Sequence, residues 1–233
     1  MQSQKITKLR LADGRRRYDD ACAATHGMDI IGERWALPVM RELMLGPRRF
    51  GELRASLNGI SANVLTQRLE GLEAAGVVGR RRLPPPASVQ VYELTPWGYE
   101  AGPIFQAMGR WAVKSPRHDP TRPFSAVSLI LSFRTMMDLT RTKGLRARIG
   151  FRIGEQSFVL GIADGRLDLA RGDPSGLDIA FAGTTGALAA AAYGGVPLRD
   201  LEAAGELSID GDRGLAERFV TLFPLPTKAP APG

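Results

Sequence analysis

The chain has 233 residues, 44% of them hydrophobic, so it is long and apolar enough to bury two cores, and two domains is the default expectation. Its net charge of +7 is uneven: residues 1–120 carry 18 Lys and Arg against 12 Asp and Glu, whereas residues 121–233 carry 13 against 12. The first half is therefore the one suited to a polyanion, and a single cysteine excludes an internal disulfide and agrees with a cytoplasmic protein.

Residues 1–17 form a basic N-terminal arm with Lys5, Lys8, Arg10 and Arg15 to Arg17, read as a solvated tail able to touch a phosphate backbone. The chain opens with no signal peptide and contains no run of about 18 apolar residues, so it is expected neither to be secreted nor to span a membrane. Cys22 stands just before the first helix. A helix N-terminus and the nearby Arg15 to Arg17 would lower its thiol pKa, while Asp19 and Asp20 oppose this. Two roles stay open for it: a responsive thiol, or a small buried residue in a dimer interface.

Between Arg48 and Leu94 the sequence predicts a short helix, a tight turn, a second helix and a strand pair. Leu65, Leu69 and Leu72 recur at helical spacing after Ile60, leaving Asn63, Thr66, Gln67 and Glu70 on another face. Ser61 is placed to cap the second helix, Asn58-Gly59 to turn the chain before it and Gly76 to stop it. Val77-Val78 and Val89, Val91, Tyr92 and Leu94 favour strands around Arg80-Arg81-Arg82, with Pro84 to Pro86 as the loop between. This order is that of a winged helix-turn-helix. Ser61, Asn63, Thr66, Gln67 and Arg68 are the candidates to face DNA from the second helix, and Arg48, Arg49, Arg80, Arg81 and Arg82 to hold phosphates. The stripe Ile104, Phe105, Met108 and Trp111 suits a dimer interface, and equally a helix folded back on its own domain. Residues 18–114 are expected to form this domain, followed by a proline-punctuated linker at 115–123.

The style then changes. Ala126 to Leu139 reads as an apolar helix, and Leu145, Ala147, Ile149, Phe151 and Ile153 alternate with Arg146, Arg148, Gly150 and Arg152, as in a strand with one buried face. Further strands are expected at Phe158–Ile162, Arg166–Ala170, Leu177–Phe181 and Glu206–Ile209, and helices at Thr185–Tyr193, Leu198–Ala204 and Gly214–Leu222. Residues 124–225 thus make a second domain, with a Pro-rich tail at 226–233. Leu129, Phe133, Met136, Met137, Phe158, Phe181, Phe219 and Phe223 either line an apolar cavity or simply fill a core. Catalysis finds little support: His26 and His118 lack partners for a metal site or triad, Gly194-Gly195 lacks a phosphate-loop pattern, and Asp210-Gly211-Asp212 lacks the remaining calcium ligands. No catalytic residue, metal or cofactor is expected, and the chain is not read as an enzyme.

Two resemblances follow from these residues. Gly32-Glu33-Arg34-Trp35, Arg49-Phe50-Gly51-Glu52-Leu53, Ile60-Ser61, Leu65-Thr66-Gln67-Arg68-Leu69, Tyr92-Glu93-Leu94-Thr95 and Gly98 resemble the HxlR-type bacterial transcriptional regulators from about Cys22 to Trp111. The chain departs from them at Asn63, where a basic residue is common. The resemblance implies double-stranded DNA as partner and a homodimer built on helices flanking the winged motif; in some members the cysteine before the first helix is a thiol sensor. From about Phe124 to Leu225, the Leu177–Phe181 strand before a small-residue helix, Gly205 to Asp212, and Phe219–Leu225 resemble the sterol carrier protein fold, which implies a small hydrophobic ligand. The expected class is α+β: a winged helix-turn-helix followed by a sandwich of a five-stranded sheet and helices. The function implied is a transcriptional regulator modulated by an apolar ligand; the alternatives are a lipid-like cargo carrier and a thiol-responsive regulator acting through Cys22.

Overall fold

The computed structural model describes residues 18–230, together with the backbone of Leu9–Arg10 (β1) and Arg16–Arg17 (β2), which pair antiparallel. Lys5, Lys8 and Arg15 of the basic arm lie outside the described residues. The chain divides into two compact units that meet between Tyr99 and Glu100.

The first unit contains α1 (Ala23–Ile31), α2 (Ala36–Leu43), α3 (Phe50–Ser56), α4 (Ala62–Ala74), β3 (Val78–Arg82), β4 (Gln90–Leu94) and the short α5 (Pro96–Tyr99). Helix α4 begins where Val64 N–H donates to the Ser61 hydroxyl at 3.3 Å, satisfying one of the amides a helix start leaves open. It ends in two reverse bonds, Val77 N to Leu72 O and Gly76 N to Glu73 O, both 2.9 Å, which require the left-handed φ of +75° at Gly76. Leu65, Leu69 and Leu72 are buried with Leu43, Leu53 and Val39, so the leucine stripe faces the core as its spacing demands. Strands β3 and β4 pair antiparallel with Arg80 opposite Tyr92, Arg81 opposite Val91 and Arg82 opposite Gln90. The three arginines therefore belong to the strand itself rather than to its flank. A third piece joins this hairpin: Arg48 exchanges both backbone hydrogen bonds with Tyr92, at 2.8 and 2.9 Å.

The second unit opens with α6 (Gly102–Ala112) and α7 (Ala126–Met136), continues through a 3-10 turn (Leu139–Thr142), and then forms β5 (Ala147–Ile153), β6 (Gln156–Ala163), β7 (Arg166–Arg171), β8 (Ile179–Gly183), α8 (Thr185–Gly194), α9 (Leu198–Ala203), β9 (Leu207–Gly211) and α10 (Arg213–Val220). The five strands lie in the order β7-β6-β5-β8-β9, antiparallel throughout except for β5 beside β8. Alternation puts Ile149, Phe151, Phe158, Leu160, Ile179 and Phe181 on one buried face, while Arg146, Arg148 and Arg152 are exposed. Helices α7, α8 and α10 supply the facing layer, with Leu129, Phe133, Leu188, Ala191 and Phe219 buried. The chain is thus α+β, a winged helix-turn-helix followed by a layered sheet-and-helix unit. Helix α6 packs against α7, where Gly109 allows close approach: a Cβ there would lie 3.2 Å from the Thr135 methyl. By compactness, that packing groups α6 with the second unit.

Candidate nucleic-acid interface and ligand-binding unit

Helix α4 presents Asn63, Thr66 and Gln67 to solvent, on the side opposite its leucines. These side chains carry donors and acceptors suited to base edges, and no core contact consumes them. Ser61 spends its hydroxyl on the cap, and Arg68 turns toward Glu33 of the α1–α2 turn, with its Nη2 3.4 Å from the carboxylate. Arg49 is exposed at the start of α3, where its backbone N–H donates to the Glu52 carboxylate at 2.9 Å. Arg48 departs from the sequence reading. It is 7% exposed and donates to the Glu52 carboxylate at 3.2 Å and to the Ser56 hydroxyl at 3.4 Å. A strand-like bridge to Tyr92 pins its backbone, which is why its side chain points inward beside α3.

The wing arginines are exposed but engaged. Arg80 grips the Glu73 carboxylate of α4, Arg81 donates to Glu93 at 2.5 Å, and Arg82 donates to the Ser88 carbonyl at 3.1 Å. Carboxylate neighbours Glu73 and Glu93 were the partners sequence reasoning missed. They lie seven and twelve residues from Arg80 and Arg81 with a chain reversal between, so no period within one element announces the pairing.

Cys22 is exposed at the N-cap of α1. The amides of Thr25 and Ala24 hold its thiol below the usual range, with the Thr25 hydroxyl adding to the effect. Asp20 occupies the same helix start, accepting from Cys22 N at 3.0 Å and Thr25 Oγ1 at 2.7 Å. These bonds lower its own pKa in turn.

In the second unit Leu129, Phe133, Phe158, Phe181, Phe219 and Phe223 are fully buried, while Met136 and Met137 are half-buried. The phenylalanines touch one another. Phe133 is the hub, with ring centroids 4.7 Å from Phe223 and 5.6 Å from both Phe151 and Phe219, and Phe151 stacks on Phe181 at 5.5 Å. Phe158 instead lies beneath the Arg171 guanidinium at 5.0 Å. Near the hub the Tyr193 hydroxyl and Ser132 Oγ are 2.6 Å apart, and Ser132 donates onward to Leu129 O, so the tyrosine is the donor. Burial pushes the Tyr193 hydroxyl pKa upward. On α6, Ile104, Met108 and Trp111 are 48%, 39% and 76% exposed, whereas Phe105 is half-buried. Lys228 donates to Val113 O at 2.9 Å and Ala229 N to Lys114 O at 2.7 Å, so the Pro-rich tail caps the end of α6. Among the described residues no group of three or more His, Cys, Asp or Glu side chains is arranged to hold a metal, and no helix is long and apolar enough to cross a membrane.

A capped helix with a free polar face, a basic hairpin beside it and a separate sheet-and-helix unit define a DNA-binding transcriptional regulator with an appended domain. The HxlR-like helix-turn-helix family model matches residues 30–119, and the SCP-2 sterol transfer family model matches residues 131–224. Over 87 residues the chain is 36% identical to the HTH-type transcriptional regulator YvaP of Bacillus subtilis (strain 168), spanning 37% of this chain and 81% of that one. It is 38% identical over 87 residues to the HTH-type regulator sll1512 of Synechocystis sp., again 37% of this chain but 64% of the relative's length. Among solved structures, the reduced form of YodB from B. subtilis matches at 31% identity with a TM-score of 0.39, covering 43% of this chain and all of that one. The chain belongs to the HxlR-like helix-turn-helix family.

Proposed function

We propose that the chain is a homodimeric transcriptional regulator that binds a two-fold operator through α4 and the β3–β4 wing, with DNA affinity adjusted by a small apolar ligand in the second unit. The observation that carries this reading is the exposed row Asn63, Thr66 and Gln67 on a helix whose opposite face is locked into the core. Arg49, Arg81 and Arg82 are the neighbouring cations that fix register on phosphates. Dimerisation is supported by two apolar helices, each with no buried residue: α1, with Met28 exposed, and α6, with Ile104, Met108 and Trp111 exposed. Covering such surface in a partner removes apolar area from water.

The match of residues 131–224 to a sterol transfer family supports a hydrophobic ligand. Because the rings around Phe133 touch, a ligand entering among them has to displace them, and it can regulate only through different affinities for DNA-competent and incompetent states. The test is selection of duplexes from a randomised pool by the full chain, followed by melting with fatty acyl and sterol-like compounds. A two-fold consensus, and stabilisation of about 2.7 kcal/mol at a hundredfold excess over Kd, are expected. A pool with no enriched sequence would defeat the operator reading. Compounds that leave both melting and DNA affinity unchanged would defeat the ligand reading.

A second mode of control is favoured by the exposure of Cys22 and its lowered thiol pKa. Solved structures of YodB include reduced, quinone-bound and diamide-treated forms. For the present chain the corresponding expectation is loss of operator binding on quinone or diamide treatment, abolished in Cys22→Ser.

A further inference from the structure

We propose that Arg80 is a positioning residue rather than a phosphate contact: with Glu73 and Tyr92 it fixes the angle of the wing against the recognition helix. This rests on the assignment of α4 and the β3–β4 hairpin to DNA binding.

Glu73 stands in the last turn of α4, and Arg80 is the third residue of β3. The Arg80 guanidinium donates to both carboxylate oxygens, with Nε at 2.8 and 3.0 Å and Nη2 at 2.5 Å. Its central carbon lies 5.5 Å from the centroid of the Tyr92 ring, the residue directly opposite on β4. Tyr92 in turn exchanges both backbone bonds with Arg48, whose side chain holds Glu52 and Ser56 of α3. Elements α3, α4, β3 and β4 therefore converge on one charged joint.

The other wing arginines differ in what their partners belong to. Glu93 and Ser88, the partners of Arg81 and Arg82, sit on β4 and on the loop of the same hairpin, so those contacts tie nothing beyond the wing. Arg80 alone of the three reaches a helix. A two-point grip on a carboxylate sets direction as well as distance, and the ring beneath removes the rotation that remains. Exposed ion pairs add little to overall stability. The consequence of this pair is geometric: it sets where Arg81 and Arg82 lie relative to Asn63 and Gln67. To turn its Nε–Nη2 edge to a phosphate, Arg80 would have to release Glu73.

The test uses the full chain, a duplex that the wild type selects from a randomised pool, and variants Arg80→Gln, Glu73→Gln, Arg81→Gln and the swap Arg80→Glu/Glu73→Arg. Electrostatics alone predicts tighter DNA binding when Glu73 loses its charge, so a loss there reports the joint. Arg80→Gln and Glu73→Gln are each expected to weaken binding about tenfold with an unchanged salt slope, whereas Arg81→Gln lowers the slope by about one. The swap is expected to restore affinity to within about threefold, as a pair interaction requires. Melting temperatures are read alongside; should Arg80→Gln fail to fold, Glu73→Gln and the swap carry the comparison. A slope lowered by about one in Arg80→Gln, with Glu73→Gln binding as well as or better than wild type, would overturn the proposal and make Arg80 a phosphate contact. A pool that the wild type leaves unbound would overturn the DNA-binding reading and the joint's role with it.

Discussion

Asn63, Thr66 and Gln67 leave α4 on the side its leucines do not use, and this division was legible because helical period alone decides it. If Gln67 or Asn63 makes a two-point contact with a base, its replacement by Ala costs about 1–3 kcal/mol and flattens preference at that position. Equal affinities of variant and wild type across a panel of operator variants would remove these residues from the readout. The arginines were harder to read. Sequence grouped Arg48 with Arg49 as phosphate ligands, yet the two point apart: the bridge to Tyr92 fixes the backbone of Arg48 and buries its side chain against α3, while Arg49 faces solvent. No local pattern announces a bridge between residues so distant in the chain. At Cys22 the helix amides lower the thiol pKa, so the thiolate persists below the pH at which an ordinary thiol is protonated. Alkylation of the folded protein should therefore exceed that of a free thiol of pKa about 8.5 at pH values below it, and converge with it as pH rises. A profile matching unfolded protein would dismiss the helix effect.

Elements declared themselves by period and punctuation, and their partners did not. The alternation from Ala147 to Ile153 and the Ser61 and Gly76 signals each act over a few residues, and the observed strand and helix ends follow them closely. The apolar stripe of α6 left two outcomes open, a dimer interface or a fold back on its own domain; in the structure Gly109 lies against Thr135 of α7 and Phe105 is half-buried, whereas Ile104, Met108 and Trp111 are exposed. A stripe states that a face is apolar, not what covers it. Capping of α6 by Lys228 was likewise invisible, since the partners are 115 residues apart. Of the phenylalanines read as cavity walls or core, Phe133, Phe181, Phe219 and Phe223 form a ring-to-ring cluster with Phe151, with Phe133 at its centre, while Phe158 lies beneath Arg171. Phe133→Ala should cost about 3–5 kcal/mol in the unfolding of the second unit, as expected for a fully buried ring whose neighbours cannot collapse. A loss well under 1 kcal/mol by calorimetry would instead mean that the cluster is loosely packed around Phe133.

For the whole molecule, the exposed apolar residues of α6 predict that charge there separates subunits. Met108→Glu or Trp111→Glu should shift the full chain from dimer to monomer in analytical ultracentrifugation while leaving its circular dichroism intact; a wild-type monomer would undo this expectation. Two winged motifs related by a two-fold axis must meet DNA at half-sites about one helical turn, or roughly 10 bp, apart or at a multiple of it. A hydroxyl-radical footprint on the duplex selected by the wild type tests the central claim most directly. The account predicts two equivalent protected half-sites at that spacing, with protection at both lost together in Trp111→Glu. A single unrepeated protected site, unaffected by Trp111→Glu, would contradict it.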